Sequence, residues 1–135
     1  MYQYVSGYLA TAFVMIALDM LWLGVIAKSM YQTAIGHLMA EKPNIPAALV
    51  FYTLYALGLQ VFAVTPQSVD AAWARSVVMG ALFGFFAYAT YDLSNFATLR
   101  NWPIRLTIVD IIWGTVLSAV SVAAGRAALN WVGKT

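Results

Sequence analysis

A chain of 135 residues with 63% hydrophobic and only 9% charged side chains is not a soluble domain, in which charged residues make up about a quarter. Seven basic and five acidic residues are scattered to a net charge of +2 and form no basic patch, which excludes a nucleic-acid interface. Cysteine is absent, so a disulfide framework, a Cys-based metal site and a thiol nucleophile are excluded as well.

About 20 apolar residues cross the hydrocarbon core of a bilayer, and four such stretches follow one another here with short breaks. A backbone in lipid must satisfy its own hydrogen bonds, and none of the stretches alternates as a barrel strand does. The predicted fold class is therefore all-α: one polytopic membrane domain over residues 1–135, a bundle of four transmembrane helices.

The first span is predicted over residues 5–27, VSGYLATAFVMIALDMLWLGVIA, with Asp19 as its one charge and Lys28 closing it. It is too long for a signal peptide and has no basic residue before it, which predicts that it stays in the mature protein. Between Ser29 and Pro46 the chain becomes mixed, and Tyr31, Ile35, Leu38 and Met39 are spaced as the apolar side of a short amphipathic helix at the membrane interface. The second span is predicted over 47–64, uncharged, with Tyr52, Tyr55 and Gln60. Thr65 and Pro66 open a turn, Asp70 suits the start of the third span at about 72–97, and Pro103 starts the fourth, 104–129. Tyr2, Tyr4, Trp73, Trp102 and Trp131 are expected to form an interfacial belt.

Four spans put both termini on one membrane face, side A, and the loops after the first and third spans on side B. Asp19, Asp92 and Asp110 then all lie in the B-side half, at the depth of Trp22, Trp113, Tyr52, Tyr55, Tyr88 and Tyr91. A carboxylate at such depth costs roughly 2.5 kcal/mol or more, so each should face other helices, water or a partner charge. Helical spacing supports this. Gly80, Gly84, Tyr88 and Asp92 share one face of the third span, and Asp110, Gly114 and Ser118, continued by Ser121 and Gly125, share one of the fourth. Asp19-Met-Leu-Trp22 and Asp110-Ile-Ile-Trp113 repeat a small motif in antiparallel helices, a hint of an inverted pseudo-repeat.

The acids have two readings: a proton- or cation-binding site, or hydrogen-bonded packing glue. Arg105, at the mouth of the fourth span, is the expected ion-pair partner of Asp92 in the second. The aromatic cluster likewise reads as core or as the wall of a ligand site. His37 reads as a solvated side chain, and neither a metal-ligand spacing nor a cofactor motif is present. Tyr91-Asp92 followed by an acid in the next span resembles the paired aspartates of intramembrane proteases, but Asp110 lacks their Gly-x-Gly-Asp context.

The run Tyr91-Asp-Leu-Ser-Asn95-Phe-Ala-Thr98, with LDMLWLG in the first span and Asp110-x-x-Trp113-Gly in the fourth, resembles the bacterial predicted-membrane-protein family known as domain of unknown function 2177. The resemblance covers essentially the whole chain. It implies a small, multi-pass protein of the bacterial inner membrane with no established activity, marked by Asp19, Asp92, Asn95, Asp110 and Trp113.

The residues themselves point to a transporter-like or ligand-binding protein taking a small cationic or apolar molecule. The alternatives are a membrane-embedded enzyme or enzyme subunit acting on a lipid, with Asp92 or Asp110 as general acid or base, and a structural partner protein. The expected partners are the lipid bilayer and such a small molecule. Side B carries four basic residues and side A three, a bias too small to fix orientation, which leaves an antiparallel homodimer open.

Overall fold

The computed structural model describes residues 1–66 and 73–134, and among these every regular element is helical. Helix α1 spans Tyr2–Leu21 and continues as a π-helical turn, Trp22–Ile26. Helix α2 spans Lys28–Ile35 and ends in a 3₁₀ turn, Gly36–Leu38. Helix α3 spans Ile45–Leu59 with its own π-helical turn, Gln60–Val64; α4 spans Trp73–Thr98 and α5 spans Ile104–Gly133. Among the described residues, four stretches are long and apolar enough to cross a bilayer: Tyr2–Ile26, Ile45–Val64, Trp73–Thr98 and Ile104–Gly133. The last has 30 residues, about 45 Å at 1.5 Å per residue, and so runs beyond the position 129 expected for its end. The expected role of Asp70 and the start of the third span at 72 lie outside the described residues.

The helix boundaries follow local chemistry. Asn44 caps α3 by accepting the Ala47 N–H at 3.1 Å, and Pro46 occupies the first turn, where no N–H partner is lost. The connection from α4 to α5 turns at Asn101, whose φ of 59° is the left-handed conformation that asparagine tolerates better than most residues. Pro103 sits just outside α5 as its cap, one residue before the helix begins. At Ala27 (φ −107°, ψ 8°) the backbone leaves helical geometry, so α2 departs from the line of α1.

Helix α5 is the centre of the bundle, packing along both α1 and α4 and touching the π turn of α3. Its register with α4 is regular. A Cβ on Gly80 would meet Val122, one on Gly84 would meet Ser118 and the Gly114 carbonyl, and one on Gly114 would meet the Tyr88 ring. Each four-residue step towards side B on α4 is thus matched by a four-residue step back along α5, and the series ends with Asp92 opposite Asp110. On α1 the buried residues Gly7, Thr11, Met15 and Asp19 also recur every four positions, and Gly125 of α5 lies against Gly7 and Thr11. The small-residue row expected on the fourth span therefore divides, Gly114 and Ser118 serving α4 and Gly125 serving α1. Close backbone approach is what holds helices together in lipid, where apolar burial gives no advantage.

Helix α4 touches the A-side end of α3 through the π turn, while the body of α3 stays apart from it towards side B. Phe83 bridges part of the gap, lying on Gly58 and edge-on to Tyr55. Beyond Phe83 the space remains open.

Candidate functional site

The site lies in the B-side half, where α1, α2, α3, α4 and α5 each contribute a polar or aromatic side chain. Asp19 is buried in α1 and accepts two hydrogen bonds, from the Tyr52 hydroxyl of α3 and from Trp113 Nε1 of α5 at 3.1 Å. Asp110, buried in α5, accepts a hydrogen bond from the Tyr31 hydroxyl at 2.5 Å, and Tyr31 in turn accepts from Trp22 Nε1 at 3.1 Å. The Trp22 and Trp113 rings stack with centroids 4.4 Å apart and planes inclined by 7°.

This arrangement makes sense of the repeated Asp-x-x-Trp. Three residues along a helix share a face with the carboxylate, so each indole reaches across to the other helix rather than to its own acid. Trp113 bonds Asp19 directly; Trp22 reaches Asp110 through the inserted hydroxyl of Tyr31. The two motifs are therefore related across the α1/α5 contact, with one tyrosine breaking the equivalence.

Tyr31 was expected on the apolar side of an interfacial helix, and the structure corrects this. The change of direction at Ala27 turns it inwards, half-buried, with its hydroxyl on Asp110. Burial first, and then the hydrogen bond to Asp110, raise the Tyr31 phenol above its ordinary 10.0. It is the site residue that sequence reasoning missed: nothing in a one-turn amphipathic pattern distinguishes a tyrosine facing headgroups from one facing a carboxylate.

Asp92 is fully buried, and among the described residues no N–H or O–H group donates to either of its oxygens. It faces the carboxyl of Asp110. The expected ion pair with Arg105 does not form. Arg105 starts α5 on its exposed side and lines a groove with Ser29, Thr33 and Leu106, because a step of five positions from Asp110 turns it away from α4. Among the described residues no basic side chain pairs with Asp19, Asp92 or Asp110.

The remaining predicted site residues fall around this core. Tyr55 hydrogen-bonds Ser118 at 2.7 Å and meets Tyr88 edge-on at 6.2 Å. Tyr88 lies over Gly114, where any Cβ would collide with its ring. Tyr91 is exposed, within reach of the Asn95 side chain and edge-on to Trp102. Trp102 departs from the expected interfacial belt: it is buried and donates from Nε1 to Thr107 Oγ1 at 3.0 Å, locking the turn onto the start of α5. His37 and Glu41 are exposed, and among the described residues no three His, Cys, Asp or Glu side chains gather as metal ligands.

The open space between α3 and α4 is a cleft of about 390 Å³ lined by Phe51, Tyr55, Ala87, Tyr88, Tyr91 and Asp110. Asp110 is the one carboxyl in a wall that is otherwise aromatic apart from Ala87. A separate groove of about 700 Å³ lies on side B around Tyr31, with Leu23, Lys28, Gln32 and Glu41 along it.

Four membrane-spanning helices with acids, phenols and indoles gathered between them define a polytopic integral membrane protein with a polar intramembrane cluster. The comparisons narrow this further. Residues 4–127 match the family described as Predicted membrane protein (DUF2177), and the chain belongs to that family. No curated protein and no solved structure matches it.

Proposed function

We propose that the cleft between α3 and α4 binds a small apolar cation that enters sideways from the bilayer, with Asp110 as its counter-charge. The observation that carries this reading is the lining itself: aromatic faces from Phe51, Tyr55, Tyr88 and Tyr91 around one carboxylate. A cation over an aromatic face gains about 0.5–2 kcal/mol, more when water is excluded, and a carboxylate supplies charge and direction. Phe51 and Tyr91 are both exposed, so the mouth of the cleft faces lipid. Binding there suits a carrier or a sensor of such molecules in a bacterial inner membrane, the location the family resemblance implies.

The test is isothermal titration of tetraphenylphosphonium into the protein in lipid nanodiscs. Saturable binding to the wild type, lost in Asp110→Asn, supports the reading. Equal binding by the two proteins, or none by either, ends it.

The facing carboxyls of Asp92 and Asp110 also suit proton transfer to a lipid substrate, which is the enzyme reading. Lipid analysis of a deletion strain separates the two: an enzyme leaves an accumulated precursor, whereas a carrier leaves lipid composition unchanged.

A further inference from the structure

Asp92 and Asp110 are opposed acceptors. A carboxylate cannot donate, Asp92 receives no donor, and no basic side chain pairs with either group among the described residues. Two bare carboxylates so placed repel strongly where water is excluded, whereas a single proton makes one of them the donor to the other. Every group that faces Asp110 bears on this: Tyr31 from α2, Tyr88, Tyr91 and Asp92 from α4, Tyr55 from α3, and Asp19 of α1 beyond the stacked indoles. None of them is a cation.

The pair has two approaches. One is the lipid-facing cleft, where Asp110 forms part of the wall. The other passes through Tyr31, whose hydroxyl bonds Asp110 and which also lines the side-B groove. A phenol both donates and accepts, so when its O–H turns from Asp110 to a water in the groove, this hydroxyl can pass its proton out and take the next from Asp110.

Resting on the cation-site reading above, we propose that Asp92 and Asp110 jointly hold one proton, that a cation entering the cleft displaces it, and that Tyr31 is its route to side B. The exchange balances: the protonated pair plus one monovalent cation gives the cation-bound pair plus one proton released. Charge in the membrane interior is unchanged by the swap, which is what makes it feasible in lipid.

The experiment is labelling with dicyclohexylcarbodiimide in nanodiscs, read by mass spectrometry. A protonated carboxyl gives its proton to a carbodiimide nitrogen while its oxygen bonds the central carbon, and rearrangement leaves a stable adduct; a carboxylate reacts poorly. One adduct per chain, on Asp92 or Asp110, is expected. In Asp92→Asn the amide donates to Asp110, which needs no proton, and labelling of Asp110 is lost. Two adducts on the pair, none, or undiminished labelling of Asp110 in Asp92→Asn overturns the shared proton; the wild-type count decides even where that variant fails to fold. Tetraphenylphosphonium should block the labelling. A single adduct that the cation leaves unblocked sinks the displacement and the cation site together, while the shared proton stands. Saturable cation binding alongside two adducts does the reverse. For the route, hydrogen–deuterium exchange of the carboxyl, followed by infrared spectroscopy after mixing into D₂O, should slow about a hundredfold in Tyr31→Phe, the usual contribution of a positioned proton-transfer group. An unchanged exchange rate rules Tyr31 out as the path.

Discussion

Replacing Gly84 with alanine tests the packing that brings the acids together. A Cβ there would lie 2.3 Å from the Gly114 carbonyl oxygen and 2.4 Å from Ser118 Oγ, where ordinary contact begins at 3.4 Å. The shortfall is about 1 Å, and the nearest obstacle is backbone, which no rotamer change can move. α4 and α5 must therefore separate by about that distance, and a gap of this size forfeits a quarter to a half of each dispersion contact along the seam. Overpacking costs about 1–3 kcal/mol, and a backbone obstacle places Gly84→Ala near the upper end, about 3 kcal/mol. The assay is unfolding in mixed micelles by titration with sodium dodecyl sulfate, followed by circular dichroism. Gly24→Ala is the comparison: a Cβ at Gly24 meets nothing within 4 Å, so its stability should stay within about 0.5 kcal/mol of the wild type. Equal stability of Gly84→Ala and the wild type, or equal losses in both variants, would refute the close approach of α4 to α5.

Tyr52→Phe removes a donor from buried Asp19 and should cost about 1.5–3 kcal/mol by the same titration, whereas Tyr8→Phe, which loses an exposed bond to the Thr53 carbonyl at 3.2 Å, should cost little. The stacked indoles should give a paired positive and negative band in the near-ultraviolet circular dichroism; Trp22→Phe and Trp113→Phe should each abolish the whole couplet, and a band merely halved would mean the rings do not couple. Because the Tyr31 phenol titrates above its ordinary 10.0 in the fold, an unfolded chain gives up that proton first. The stability this phenol contributes is therefore fully present below about pH 10 and is lost as pH rises beyond it, a decline that Tyr31→Phe should reduce. Single cysteines placed at Gln3 and Lys134 of this cysteine-free chain should react with an impermeant maleimide from one face of the membrane, and those at Glu41 and Arg100 from the other.

The architecture was legible because lipid imposes so few solutions: spans of sufficient length must be helices, and counting along them placed the three acids in one half of the bilayer. The four-residue rows through Asp92 and Asp110 were legible for the same reason, since the face of a helix is set by its period. What pairs with what was not. Asp19 and Asp110 sit in matching motifs yet have different partners, because Tyr31 enters on one side, and its entry depends on a backbone break at Ala27 that apolar periodicity does not encode. Arg105 stands at the mouth of α5, close to where α4 ends, but its direction around α5 decides what it meets. The division of the small-residue row between two neighbours was equally hidden, since a row of glycines and serines says that something approaches but not which helix does.

The central place of α5 has a consequence for how the protein is made. Spans leave the ribosome in order, and of these four the helix that packs along both α1 and α4 emerges after the other three. Until it does, α1 can shelter Asp19 only with Tyr52 of α3, and α4 carries Asp92 into the bilayer with no partner for its carboxyl. The first three spans are thus an unfinished assembly waiting for its keystone, and a chain that stalls before Ile104 leaves a fragment whose buried acid has nowhere to go.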